Sequence, residues 1–221
     1  ELSRLIAGQI FLHACMAGTR MAVPLLALQQ GFSAMAVGAL LALFALTQVF
    51  LALPAGRYAD RKGLKAPLTL SVAIAFTGVS LSAIWPIFPM LCVSALASGG
   101  ATGMAVIALQ RHVGRLAHGP AELKSAFSWL SIGPAISNFL GPVLAGLMID
   151  FVGPARAHET GFRVAFLLMA LLPLLTLLCV RRVREKTSPV LEGPKEKKHV
   201  LDLLHQPMML RLLGVNWLLS S

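Results

Sequence analysis

Ten consecutive residues in this chain combine charge, glycine and regular spacing: Gly56-Arg57-Tyr58-Ala59-Asp60-Arg61-Lys62-Gly63-Leu64-Lys65. Gly56 has no side chain, so another helix can approach its backbone closely. Gly63 suits the positive φ of a very short turn. Asp60 is placed to cap the helix that follows and to meet its dipole. Arg61 and Lys65 can bind phosphates or acidic partners. A second polar set, His13, Arg20, Gln48 and Asn138, lies inside apolar stretches. Arg20 reads as a cation in a wet cavity, attracting an anionic group, or as a side chain reaching for the membrane surface. His13 titrates near neutral pH and is a proton-coupling candidate, the alternative being a bond to a backbone carbonyl. Gln48 and Asn138 can hydrogen-bond a ligand or a neighbouring helix.

These residues must be positioned by long apolar elements. Ser33 to Ala55 carries no charge, and Ala66 to Gln110 carries none for 45 residues. At about 1.5 Å per residue a helix of that length is roughly twice the ~30 Å hydrocarbon core of a bilayer. The second stretch must therefore cross, turn and cross back, and Trp85-Pro86-Ile87-Phe88-Pro89 supplies the turn. The sequence predicts six complete membrane spans: Leu5–Gln29, Ser33–Ala55, Ala66–Trp85, Pro89–Gln110, Ser125–Ile149 and Arg163–Val180. Apolar residues make up 57% of the chain and charged residues 13%, with a mean hydropathy of +0.77. A soluble domain carries about a quarter charged residues.

The net charge of +10 does not indicate nucleic-acid binding, which needs the cations gathered on one accessible face. Here they form short clusters between spans, and sixteen of the nineteen lie on one side. Since the positive side faces the cytoplasm, the amino terminus, the 56–65 block and the 181–206 segment are expected there. Cys15, Cys92 and Cys179 sit inside spans, odd in number and without metal-ligand spacing, so neither a disulfide nor a metal site is expected. No cleavable signal peptide is evident. Neither a phosphate-cradling glycine loop nor a carboxylate pair suggests an enzyme or an ATP-driven pump, and no cofactor is expected.

Residues 1–180 are expected to form a six-span domain. Residues 181–206, rich in Pro, Gly, Glu and Lys, read as a basic linker, and 207–221 as the start of a seventh span. The chain begins at Glu1 and stops inside that span, so it is expected to be a fragment.

The block Gly56-x-x-x-Asp60-Arg61-x-Gly63-x-Lys65, placed between the second and third of six spans, resembles the signature loop of the major facilitator superfamily, with Leu64 in place of a basic residue. In the fifth span Gly141-Pro142-Val143-Leu144-Ala145-Gly146 is similar to that superfamily's antiporter motif, with Ala145 replacing a glycine. Gly141, Pro142 and Gly146 carry the motif; Gly141-Pro142 would bend the helix, while Ser137, Gly141 and Ala145 form a small face for close packing. The fourth span fits the family pattern as Leu91 to Gly99, but Ala95 stands where an arginine is usual and Ser98 where a glutamine is.

The resemblance implies an all-α bundle of two inverted three-helix repeats, the amino-terminal half of a transporter. It implies a gate formed by Gly56, Asp60, Arg61, Gly63 and Lys65 that latches against a carboxy-terminal half. Such a protein moves a small organic solute across a lipid bilayer, the plasma membrane or a bacterial inner membrane, by alternating access. The antiporter-like motif favours efflux coupled to H+. Arg20 favours uptake of an organic anion instead, and a non-transporting scaffold or sensor is a third reading. His13, Arg20, Gln48 and Asn138 are the substrate or coupling candidates.

Overall fold

A computed structural model describes residues 2–116, 119–156, 158–181 and 183. These form six helices: α1 (Leu2–Gln29), α2 (Ala34–Lys62), α3 (Lys65–Ile84), α4 (Phe88–Leu116), α5 (Pro120–Arg156) and α6 (His158–Val180). Each is long and apolar enough to cross a membrane. Pro24, Pro54 and Pro173 lie inside helices without interrupting them, as membrane helices permit. Apart from Arg181 and Val183, the expected linker and the seventh span fall outside the described residues.

Each of the six complete spans expected is present, and the differences are at the ends. The charged block is not a loop, because α2 continues through Asp60 and Arg61 to Lys62. Hydropathy marks where the oily stretch stops, whereas a helix continues as long as its residues tolerate it. Arg and Lys are good helix formers, and Arg61 and Lys62 suit the negative end of the α2 dipole. Only Gly63 and Leu64 separate α2 from α3.

Helix pairing follows a two-fold exchange of α1 with α4, α2 with α5 and α3 with α6, broken where α5 packs extensively on α6 while α2 barely touches α3. The extensive α1–α5 and α1–α6 packings correspond to α4–α2 and α4–α3, while α3–α6 and α1–α4 map onto themselves. A repeat of three spans is odd, so the second repeat enters the membrane from the opposite side and the repeats are inverted. Helices α1 and α4 are the most buried, whereas α2 and α5 bury only 11% and 17% of their spans.

Lipid tails are as apolar as the side chains, so helices associate through close packing rather than hydrophobic transfer. On α4, Gly99 lies against the Phe44 backbone of α2, and a Cβ at Gly103 would come within 3.2 Å of Gln48. On α6, Thr176 donates to the Gly8 carbonyl of α1 at 2.9 Å. On the side away from the charged block, Gln30 donates to the Pro86 carbonyl and Phe32 stacks against Phe88, with ring centroids 4.5 Å apart. Those contacts tie the α1–α2 turn to the α3–α4 turn.

Candidate functional site

Asp60 sits in the last turn of α2 and bonds two arginines of α4. Arg111 Nη2 donates to Oδ2 at 2.5 Å, and Arg115 Nη2 donates to Oδ1 at 2.7 Å. The two arginines are one turn apart on a single face of α4, so they straddle one carboxylate. This corrects the expected capping role, since α3 begins after Leu64 and has no side-chain cap bond. A carboxylate near the carboxy-terminal end of a helix faces an unfavourable dipole, which a cationic partner offsets. Arg111 and Arg115 fill that role.

Gly56 lies one turn before Asp60 on the same face of α2. A Cβ there would fall 2.6 Å from Arg111 Nη1. The missing side chain is therefore a channel through which the guanidinium crosses α2 to reach Asp60. Gly63 adopts φ 76°, and its N–H bonds the Ala59 carbonyl at 3.1 Å, closing α2 with a turn that a larger residue would strain. Leu64, where the family pattern has a base, is 2% exposed; a charge at that depth would be costly. Arg61 is exposed, and Lys65 opens α3 beside the end of α6.

A polar stripe runs along α1. At 3.6 residues per turn, Gln9, His13 and Arg20 fall within about 40° of one another. Gln9 is 5% exposed, and among the described residues neither its Oε1 nor His13 Nδ1 has a hydrogen-bond partner. Both residues line a small cavity of about 10 Å³ that they share with Thr102 of α4. That space is close to what one water needs. Arg20 lies about 10 Å further along the helix and is exposed, with no ion pair among the described residues. Gln48 packs on a different flank of α4, against Gly103, and Asn138 is exposed on α5. The fold thus brings His13 beside Gln9 and Thr102, and leaves Gln48 and Asn138 apart from that cluster.

Residues 5–221 match the family model of the Major Facilitator Superfamily. The chain belongs to that superfamily. No curated protein matches it significantly. As a major facilitator it is a multi-pass membrane protein of the secondary-transporter type, consistent with its six membrane-length helices and all-helical described structure.

Against that frame the departures from the family pattern acquire geometry. The fourth span carries its positive charge at Arg111 and Arg115, near the helix end, while Ala95 in the span is wholly buried. The antiporter-like segment forms the α1–α5 crossing. A Cβ at Gly141 would lie 2.5 Å from the Ala14 carbonyl oxygen and 2.7 Å from the Gly18 nitrogen. One turn earlier, the Ser137 hydroxyl reaches the Gly133 and Ile10 carbonyls at 2.7 and 3.0 Å. Gly146 is looser, with Met21 Cε at 3.4 Å from its would-be Cβ. Pro142 is half-buried in an α5 that is helical throughout.

Three participants were not singled out by sequence reasoning: Arg111, Arg115 and Gln9. A signal existed for the arginines. Asp60 is the sole acidic residue between positions 2 and 121, so a cation pair four residues apart on one helix had one candidate carboxylate in that stretch. Gln9 is marked by its position, one turn before His13 on the same face.

Proposed function

We propose that this chain is one half of an alternating-access transporter for a small organic solute, and that the Asp60–Arg111–Arg115 clamp is part of its cytoplasmic gate. The observation that carries this reading is the clamp itself. It joins the second span of one repeat to the first span of the other, at the basic-rich end, through side chains that remain about 40% exposed. Such pairs are weak in water, so the clamp suits a contact that must open and close rather than one that fastens the fold. In this reading Gly63 holds the turn and Arg61 faces the second half. His13 with Gln9 and Thr102 provides a protonatable site in the bundle, Arg20 attracts the substrate or the coupling carboxylate, and Gln48 and Asn138 serve as further contacts. The antiporter-like Gly141-Pro142 motif supports H+-coupled efflux.

Uptake of an organic anion is the second reading, supported by the exposed position of Arg20. A scaffold role would be favoured by a sealed apolar centre around Arg20, and its exposure gives that reading no support. The test is solute flux in vesicles with Asp60→Asn, which removes the acceptor charge shared by both arginines. Flux is expected to fall at least tenfold with normal membrane insertion. Wild-type flux from that variant would remove the clamp from the gate. Counterflow with organic acids against lipophilic cations separates the two readings by the solute class exchanged.

A further inference from the structure

A crevice of about 270 Å³ lies between the first turns of α3 and the last turns of α6, outside the clamp and the polar stripe. Its walls are formed by Leu68 and Thr69 on one helix and Leu177 and Leu178 on the other, with Lys65 and Arg181 at its basic-rich end. Leu178 is 66% exposed, and Leu167, Leu171, Leu174 and Leu175 continue an exposed leucine stripe along α6. Thr176, the polar group deepest in the crevice, is already committed to the Gly8 carbonyl. Apart from the exposed Thr69 the walls between the cations are apolar, so the crevice offers little to a soluble metabolite, and it is smaller than the usual range for a buried ligand.

We infer that this crevice binds one anionic phospholipid from the adjoining leaflet, with the headgroup phosphate between Lys65 and Arg181 and part of an acyl chain against Leu68, Leu177 and Leu178. Three observations carry it. The cations sit where α3 begins and α6 ends, at the depth of the headgroups for helices of membrane length. Apolar walls run from those cations towards the membrane interior, matching the shape of an amphiphile. Arg181 is exposed and has no ion pair among the described residues, and its planar guanidinium can take a phosphate with two hydrogen bonds. Basic pockets between membrane helices bind anionic headgroups in this way. Lys65 closes the signature block in sequence, yet it lines this crevice rather than the clamp.

Native mass spectrometry on the intact protein in mixed phosphatidylglycerol and phosphatidylcholine nanodiscs tests the inference. Wild type is expected to retain one phosphatidylglycerol in preference to phosphatidylcholine. Arg181→Gln should weaken that retention about fivefold, as expected for one basic side chain at the surface. Leu178→Trp, which fills the crevice and leaves both cations in place, should weaken it by at least as much. Both positions are exposed, and unchanged melting temperatures verify folding. Soluble glycerophosphate and inorganic phosphate should not displace the lipid. Equal retention of the two lipids, wild-type retention by either variant, or displacement by free phosphate overturns the proposal. Solute flux is not the readout, so the result stands apart from the gate.

Discussion

Substituting Gly56 separates the clamp from the stability of the fold. In Gly56→Ala the new methyl would meet Arg111 Nη1 at 2.6 Å, where ordinary contact begins near 3.4 Å. The guanidinium must therefore retreat by about 0.8 Å. A retreat along its bond to Asp60 stretches that contact from 2.5 Å to about 3.3 Å, beyond the ~2.7–2.9 Å of a charge-assisted bond. The obstructing atom is the end of a flexible side chain, so the backbone need not move. One exposed pair is worth roughly 0.2–1 kcal/mol, and exchanging glycine for alanine inside a helix returns up to about 1 kcal/mol. Thermal stability in detergent should hence stay within about 1 kcal/mol of wild type. The gate equilibrium loses only the pair, and 1 kcal/mol is about a fivefold change in population. A cysteine reporter in the cavity, labelled from the basic-rich side, should react up to about fivefold faster when that side opens more often. The decisive comparison is a double-mutant cycle. If Gly56 acts through Arg111, then Gly56→Ala adds nothing in an Arg111→Gln background. An undiminished effect in that background would refute the channel reading.

Gly141→Ala presses a methyl against backbone atoms of α1 at 2.5 and 2.7 Å. It should destabilise the bundle by roughly 1–3 kcal/mol, whereas Gly146→Ala, with Met21 Cε at 3.4 Å, should be nearly neutral; equal unfolding midpoints would contradict the crossing. Cys15 is wholly buried, so a small membrane-permeant maleimide should label Cys92 and Cys179 in the native protein and Cys15 only after denaturation. Lys62→Cys and Ile87→Cys lie at opposite ends of α3, so an impermeant thiol reagent should reach them from opposite membrane faces. Labelling of both from the same face would undo the six-span topology.

The fold was legible because its dominant signal is solvent preference. Long uncharged stretches cannot remain in water, and their lengths fix the number of crossings. The helix ends were not legible for the same reason, since hydropathy reports where lipid ends rather than where hydrogen bonding stops. Asp60 shows the effect: at the edge of the oily stretch it reads as the cap of the next helix, yet it lies within the preceding one. The role of Gly63 could be read because a two-residue turn leaves few backbone choices. The partners of Asp60 could not, because Arg111 and Arg115 are more than fifty residues distant in sequence and also fit the charge bias that sets topology. His13 and Arg20 were visible as polar groups in oil, but their neighbours are set by the packing of α1 on α4. That packing depends on small residues, which carry little signal individually.

The joint between α2 and α3 has mechanical meaning. Two residues are too few to act as a slack tether, and one of them, Leu64, is anchored in the interior. A tilt of α2 that parts Asp60 from its arginines cannot be absorbed at the bend and must swing the start of α3 with it. The hairpin then behaves as a single crank, whose stroke at one arm is felt along the outer wall of the bundle.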